Sequence, residues 1–112
     1  MNKSDLAKEW CNHTIIKTIC FSTDLDDGAC TLILDLAVDE KIGSDAISIK
    51  FDGVSKLRVG EIGGGISQLC RLDVIDIREQ QWDRLNYRVL DYESERIGFM
   101  CRDFQILKKY RI

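Results

Sequence analysis

Between Cys30 and Val38 the chain reads "CTLILDLAV", and every second residue, Cys30, Leu32, Leu34, Leu36 and Val38, is apolar. Successive side chains of a strand point to opposite faces, so this alternation predicts a half-buried strand of about nine residues. The stretch before it, "TIIKTICF", is rich in β-branched residues, and "DLDDG" between the two is a turn signal. Together they predict a hairpin. A second alternating strand follows in "AISIKF", with Ile47, Ile49 and Phe51 on its inward face.

The Asp52–Gly53 pair that comes next is ordinarily a two-residue hairpin signal. Parity argues against that use here. A hairpin would set Phe51 opposite Val54 and drive Lys56 and Arg58 into the core. If the strand continues, the inward set is Ile47, Ile49, Phe51, Leu57 and Val59, all apolar. Asp52–Gly53 is therefore read as a bend inside one long strand.

The flanks complete the pattern. Ser4 is placed as the N-cap of a short helix over Asp5–Asn12, packing through Leu6 and Trp10. "SQLCRLDVIDIRE" predicts a further strand and "QQWDRLN" a loop or single helical turn. "YRVLDY", the turn "ESER" and "IGFMCRDFQIL" predict a second hairpin, with Ile97, Phe99 and Cys101 on one face. The expected fold class is α+β, mainly β: an antiparallel sheet or small sandwich with a short N-terminal helix, in a single domain over residues 1–112. A chain of that length buries roughly two-thirds of its unfolded surface without help from metals or disulfides.

Several chemistries fail on spacing. "GEIGGGIS" at Gly60–Ser67 lacks the lysine and following helix of a phosphate loop and the spacing of a dinucleotide fingerprint. It is read as a corner, its glycines supplying positive φ. "DLDDG" fails as a calcium loop, because counting from Asp24 puts Gly28 at the fifth position and Asp35 at the twelfth. The five cysteines, 11, 20, 30, 70 and 101, form no C-x-x-C pair and are expected to be reduced structural thiols. Cys11 and the sole histidine, His13, supply two metal ligands at most, so no metal and no cofactor is expected. A net charge of −3 is the wrong sign for a nucleic-acid binder, whose footprint is basic. With no signal-peptide core and no long apolar run, the expected location is the cytoplasm, without a membrane partner.

What remains is surface. Up-and-down strand counting brings the tips Asp24–Gly28 and Glu93–Arg96 to one end of the sheet, joined there by the glycine loop. Asp24, Asp26, Asp27, Asp91, Glu93 and Glu95 would then form a negative surface suited to a basic partner. Trp82, in the polar loop "EQQWDRLN", is the candidate aromatic anchor, with a core tryptophan capping the sheet as the alternative reading.

The segments "ISIKFDGVSKL", "QQWDRLNYRVLDYE" and "IGFMCRDFQI" resemble immunity proteins of bacterial polymorphic toxin systems, in particular immunity protein family 50 and contact-dependent inhibition immunity proteins. The likeness lies in hydrophobic order and aromatic rhythm over the second half of the chain. It implies a cytoplasmic, non-enzymatic protein that binds the C-terminal domain of one cognate toxin. A nuclease suits the acidity, since a site that attracts phosphate is basic. Two other readings stand beside it. One is a small ligand-binding or thiol-dependent enzyme using Cys11 and His13; the other is a structural module whose edge strands pair between copies.

Overall fold

Alternating and β-branched runs become strands throughout. A computed structural model describes residues 3–80, 85–92 and 96–112. A 3₁₀ helix over Lys3–Trp10 is followed by β1 (Ile15–Thr23), β2 (Cys30–Ala37), β3 (Asp45–Asp52), β4 (Ser55–Val59), β5 (Ser67–Gln68) and β6 (Leu72–Asp76). A short 3₁₀ turn, Arg78–Gln80, precedes β7 (Tyr87–Asp91), β8 (Ile97–Cys101) and β9 (Asp103–Arg111). These make two antiparallel sheets, ordered β5-β1-β2-β3-β9 and β4-β8-β7-β6. The expected mainly β class, with both predicted hairpins and a short N-terminal helix, is what the chain adopts.

Two stretches of chain pass from one sheet into the other. Phe51 faces Phe104 and Asp52 faces Asp103 in the first sheet, and Ser55 faces Met100 in the second, in one unbroken register. Strands β3 and β8 each run to the corner and continue in the other sheet as β4 and β9, the usual way a sandwich turns its corners. The Arg102 N–H donates to the Asp52 carbonyl at 2.9 Å, carrying the ladder through. The bend expected at Asp52–Gly53 is this corner. Gly53 sits there at φ +63°, and a Cβ on it would lie 2.4 Å from the Arg102 side chain.

Between the sheets, Leu32, Leu34, Leu36, Ile47, Ile49 and Phe51 meet Val89, Ile97, Phe99 and Cys101. The Phe51 and Phe99 rings touch edge to face at 4.9 Å, and Tyr87 meets Phe104 in the same way at 5.0 Å. Two residues expected inward are not. Val38 lies beyond the end of β2, and Val59 ends β4, which among the described residues has a neighbour on one side only, so both are exposed. The helix also departs in detail. It starts at Lys3, placing Ser4 inside its first turn rather than at the cap, and it stops at Trp10 instead of Asn12. Trp10 explains the stop: its buried indole donates to the Leu72 carbonyl at 3.2 Å, tying the helix end to β6.

"SQLCRLDVIDIRE" splits where a single strand was expected. Ser67 and Gln68 pair with β1 in one sheet, while Leu72–Asp76 pairs with β7 in the other. The glycine loop delivers the chain from β4 to β5, and Gly63, Gly64 and Gly65 all take positive φ, as a corner requires.

Candidate partner-binding site

The turn between β1 and β2 is built by its own aspartates. Asp24 accepts the Asp26 N–H on Oδ1 at 2.8 Å, and Asp27 accepts the Ala29 N–H on Oδ1 at 2.8 Å. Two backbone bonds, Asp24 N–H to Ala29 O and Gly28 N–H to Asp24 O, both 2.8 Å, close the base. Such side-chain-to-backbone bonds are the reason aspartate is favoured in turns. Here they hold three carboxylates on an exposed tip, and Leu25 stands among them 95 % exposed. Leu25 was not singled out by strand patterning. Its signal was an apolar residue inside an acidic turn, where no pleat can bury it.

Asp91 belongs elsewhere. Its side chain is 0 % exposed, and Oδ1 accepts the N–H groups of Cys70 at 2.8 Å and Arg71 at 3.2 Å, while Oδ2 accepts the Arg96 N–H at 3.4 Å. It therefore corrects the expectation of a surface acid: the carboxylate is spent inside, latching the approach to β6 against the end of β7. The corner explains why strand counting failed. Tyr87 pairs with Cys101 beside the corner, and Asp91 ends β7 at the opposite side of the sheet. The Asp24–Gly28 turn sits at the corner itself, where the Val54 N–H donates to the Cys30 carbonyl at 3.0 Å. Counting along one flat sheet overlooks that turn of the chain. Trp82, Glu93 and Glu95 lie outside the described residues.

A cleft of about 400 Å³ lies at the other end of the five-stranded sheet, lined by Glu9, His13, Asp45, Ala46, Lys109, Tyr110 and Arg111. Burial holds the His13 imidazole below its ordinary pKa; Asp45 opposes this and Lys109 adds to it. His13 Nδ1 is buried without a hydrogen-bond partner. Cys11 is exposed and is not among the lining residues, so the structure does not assemble the Cys11–His13 pair in this cleft. Cys101 is buried, and that burial, with Asp103 and Asp52 nearby, pushes its thiol up to about 12. Among the described residues no three His, Cys, Asp or Glu side chains are grouped to hold a metal, and no helix is long and apolar enough to cross a membrane.

Fold and surface define a small protein of two antiparallel sheets that carries an exposed acidic hairpin tip. The chain belongs to the family described as immunity protein PIM8, whose family model matches residues 4–107. No curated protein and no solved structure matches it. The immunity-protein class that the second half of the sequence resembles is thus matched over nearly the whole chain, by the PIM8 family model. Membership carries an immunity function in general terms, with a toxin as the protein partner.

Proposed function

We propose that this protein neutralises one cognate toxin in the bacterial cytoplasm, without catalysis, by seating the β1–β2 tip in a basic cleft of the toxin's C-terminal domain. The observation that carries the reading is Leu25, 95 % exposed on a hydrogen-bonded tip among Asp24, Asp26 and Asp27. Burying a leucine side chain is worth about 1.5–3 kcal/mol, which makes it an anchor. The flanking carboxylates steer the tip toward positive charge and reject acidic partners. A nuclease active site, which must attract phosphate, offers that charge, and a tip seated there would cover the catalytic groups. Trp82, Glu93 and Glu95 are the candidates for the rest of the contact.

The test is a growth rescue. The C-terminal region encoded by the adjacent upstream reading frame is induced alone, then together with this protein, with cellular nucleic acid followed by gel. Arrest with nucleic-acid breakdown, reversed by co-expression, is the expected result. Asp24→Asn with Asp26→Asn and Asp27→Asn, which removes the charge but keeps the side-chain oxygens that accept the turn's N–H groups, or Leu25→Ala, should then abolish rescue while circular dichroism stays unchanged. Full rescue by both tip variants would place the contact elsewhere on the molecule. Arrest that persists despite wild-type protein would mean that it is not the antidote to that toxin.

A further inference from the structure

Among the described residues the two sheets leave four lateral edges, and three of them are guarded. Along β9 the N-terminal helix is tied down by the Lys3–Asp103 and Glu9–Lys109 ion pairs, and the strand itself carries Lys108, Lys109 and Arg111. The same helix reaches β6 through the Trp10 bond to Leu72. Strand β4 is short, breaks register between Ser55 and Arg58, and carries Lys56 at φ +57°. Charges, irregularities and covering elements of these kinds prevent edge-to-edge pairing. The edge of β1 has few of them. β5 pairs with Ile15 and Ile16 and the register breaks at Lys17, but from Thr18 to Thr23 the strand is regular, carries no charge and, among the described residues, has no strand on its outer side.

We propose that a second copy of this chain pairs antiparallel with that edge, β1 against β1, about a two-fold axis through Cys20. An axis perpendicular to the sheet keeps each face on its own side, so directly opposed residues must share a face. Overlapping the regular stretch Thr18–Ser22 with itself then puts Cys20 opposite Cys20. Ile19 comes to face the partner's Phe21, and Phe21 the partner's Ile19, two copies of an aromatic–β-branched pair that stabilises strands. Phe21 needs such a cover: it is 47 % exposed although Leu32, its register mate in β2, is fully buried. Thr18 faces the partner's Ser22, placing two hydroxyl residues together on the other face. The ends complement as well. The edge begins at Lys17, whose exposed ammonium rests on Tyr110 within its own chain, and runs into the acidic turn after Thr23, so antiparallel pairing brings each lysine toward the partner's acidic end as an alternative to that contact. This self-complementarity singles out a second copy as the occupant.

Sedimentation equilibrium on the full chain across a concentration series tests this directly. The wild type should be dimeric, and Cys20→Lys, which opposes two ammonium groups at the axis, should weaken the dimer at least tenfold without changing circular dichroism. Chains retaining only one of the exposed thiols, Cys11, Cys20 or Cys70, are then oxidised side by side. Opposed strand residues bring their Cβ atoms to about 5 Å, close to disulfide reach, so the Cys20-only chain should cross-link fastest. A wild type that stays monomeric throughout overturns the proposal, as does a dimer that survives Cys20→Lys with equal cross-linking from all three thiols. A monomer in which Cys20→Lys abolishes growth rescue assigns the edge to a strand of the toxin, and that too overturns it.

Discussion

The two ends of this sandwich spend aspartates in opposite ways. At the corner, Asp24 and Asp27 bind backbone groups two residues away and leave their charge facing water. At the other end Asp91 is withdrawn from solvent and binds N–H groups of Cys70 and Arg71, some twenty positions off in the chain, as well as Arg96. The first use shapes a turn. The second holds two segments together. A carboxylate's role is thus set by how far along the chain its partners lie, and only the short-range use is written in local sequence.

Removing the latch should have the largest effect. Asp91→Ala removes the acceptor of three part-buried hydrogen bonds, and each group left unsatisfied away from water costs about 1–3 kcal/mol. The expected loss is about 3 kcal/mol or more, read as a lowered urea midpoint with an unchanged slope. Asp27→Ala, which forfeits one exposed turn bond, should cost less than about 1 kcal/mol. Equal losses from the two variants would erase the distinction between the ends.

The corner has its own weak point in Gly53. A Cβ there meets Arg102 Cδ at 2.4 Å, and the residue also needs φ +63°. The left-handed conformation alone costs a non-glycine residue about 1–2 kcal/mol. Gly53→Ala is expected to lose about that much, plus whatever the arginine pays to move aside. Adding Arg102→Ala should return part of the loss but not all of it, because the backbone cost remains. Complete recovery in the double variant would mean that crowding, not φ, decides this position.

A smaller effect, set by pH, belongs to the end opposite the corner. Burial depresses the His13 pKa, with Asp45 opposing and Lys109 reinforcing, so the unfolded chain takes up the proton first. Above the ordinary imidazole value of 6.5 neither state is protonated and this contribution to stability is complete. It declines as pH falls below that value and levels off once folded His13 protonates too. Between pH 7.5 and 5, His13→Gln should therefore lose less stability than the wild type, in paired urea titrations. Parallel curves for the two proteins would show that the imidazole is free to ionise in the fold.

How far the sequence could be read follows the same division. Alternation located β2 and β3, and parity rejected a hairpin at Asp52–Gly53, because both depend on neighbours within a few residues. That the bend passes the strand into a second sheet was not legible. It depends on Arg102 donating to Asp52 and on Asp103 lying in register with it, contacts from the far end of the chain. The same ignorance misplaced Asp91, whose surroundings read as an ordinary acidic turn. The tip aspartates were legible as a turn, yet Leu25 between them passed unnoticed, since strand patterning asks which leucines point inward and has no place for one that points nowhere.

Leu25 should accordingly be the residue whose loss the fold feels least. Leu34, fully buried between the sheets, gives up transfer free energy and leaves a cavity when cut to alanine, a cost of about 2–5 kcal/mol. Leu25 is nearly as exposed in the folded protein as in the unfolded chain, so Leu25→Ala should change stability by less than about 0.5 kcal/mol. A measurable destabilisation would mean that the leucine packs on its own turn, and the case for an anchor would weaken with it. Stability unchanged and toxin binding lost is the combination expected of a side chain held in water to meet another protein.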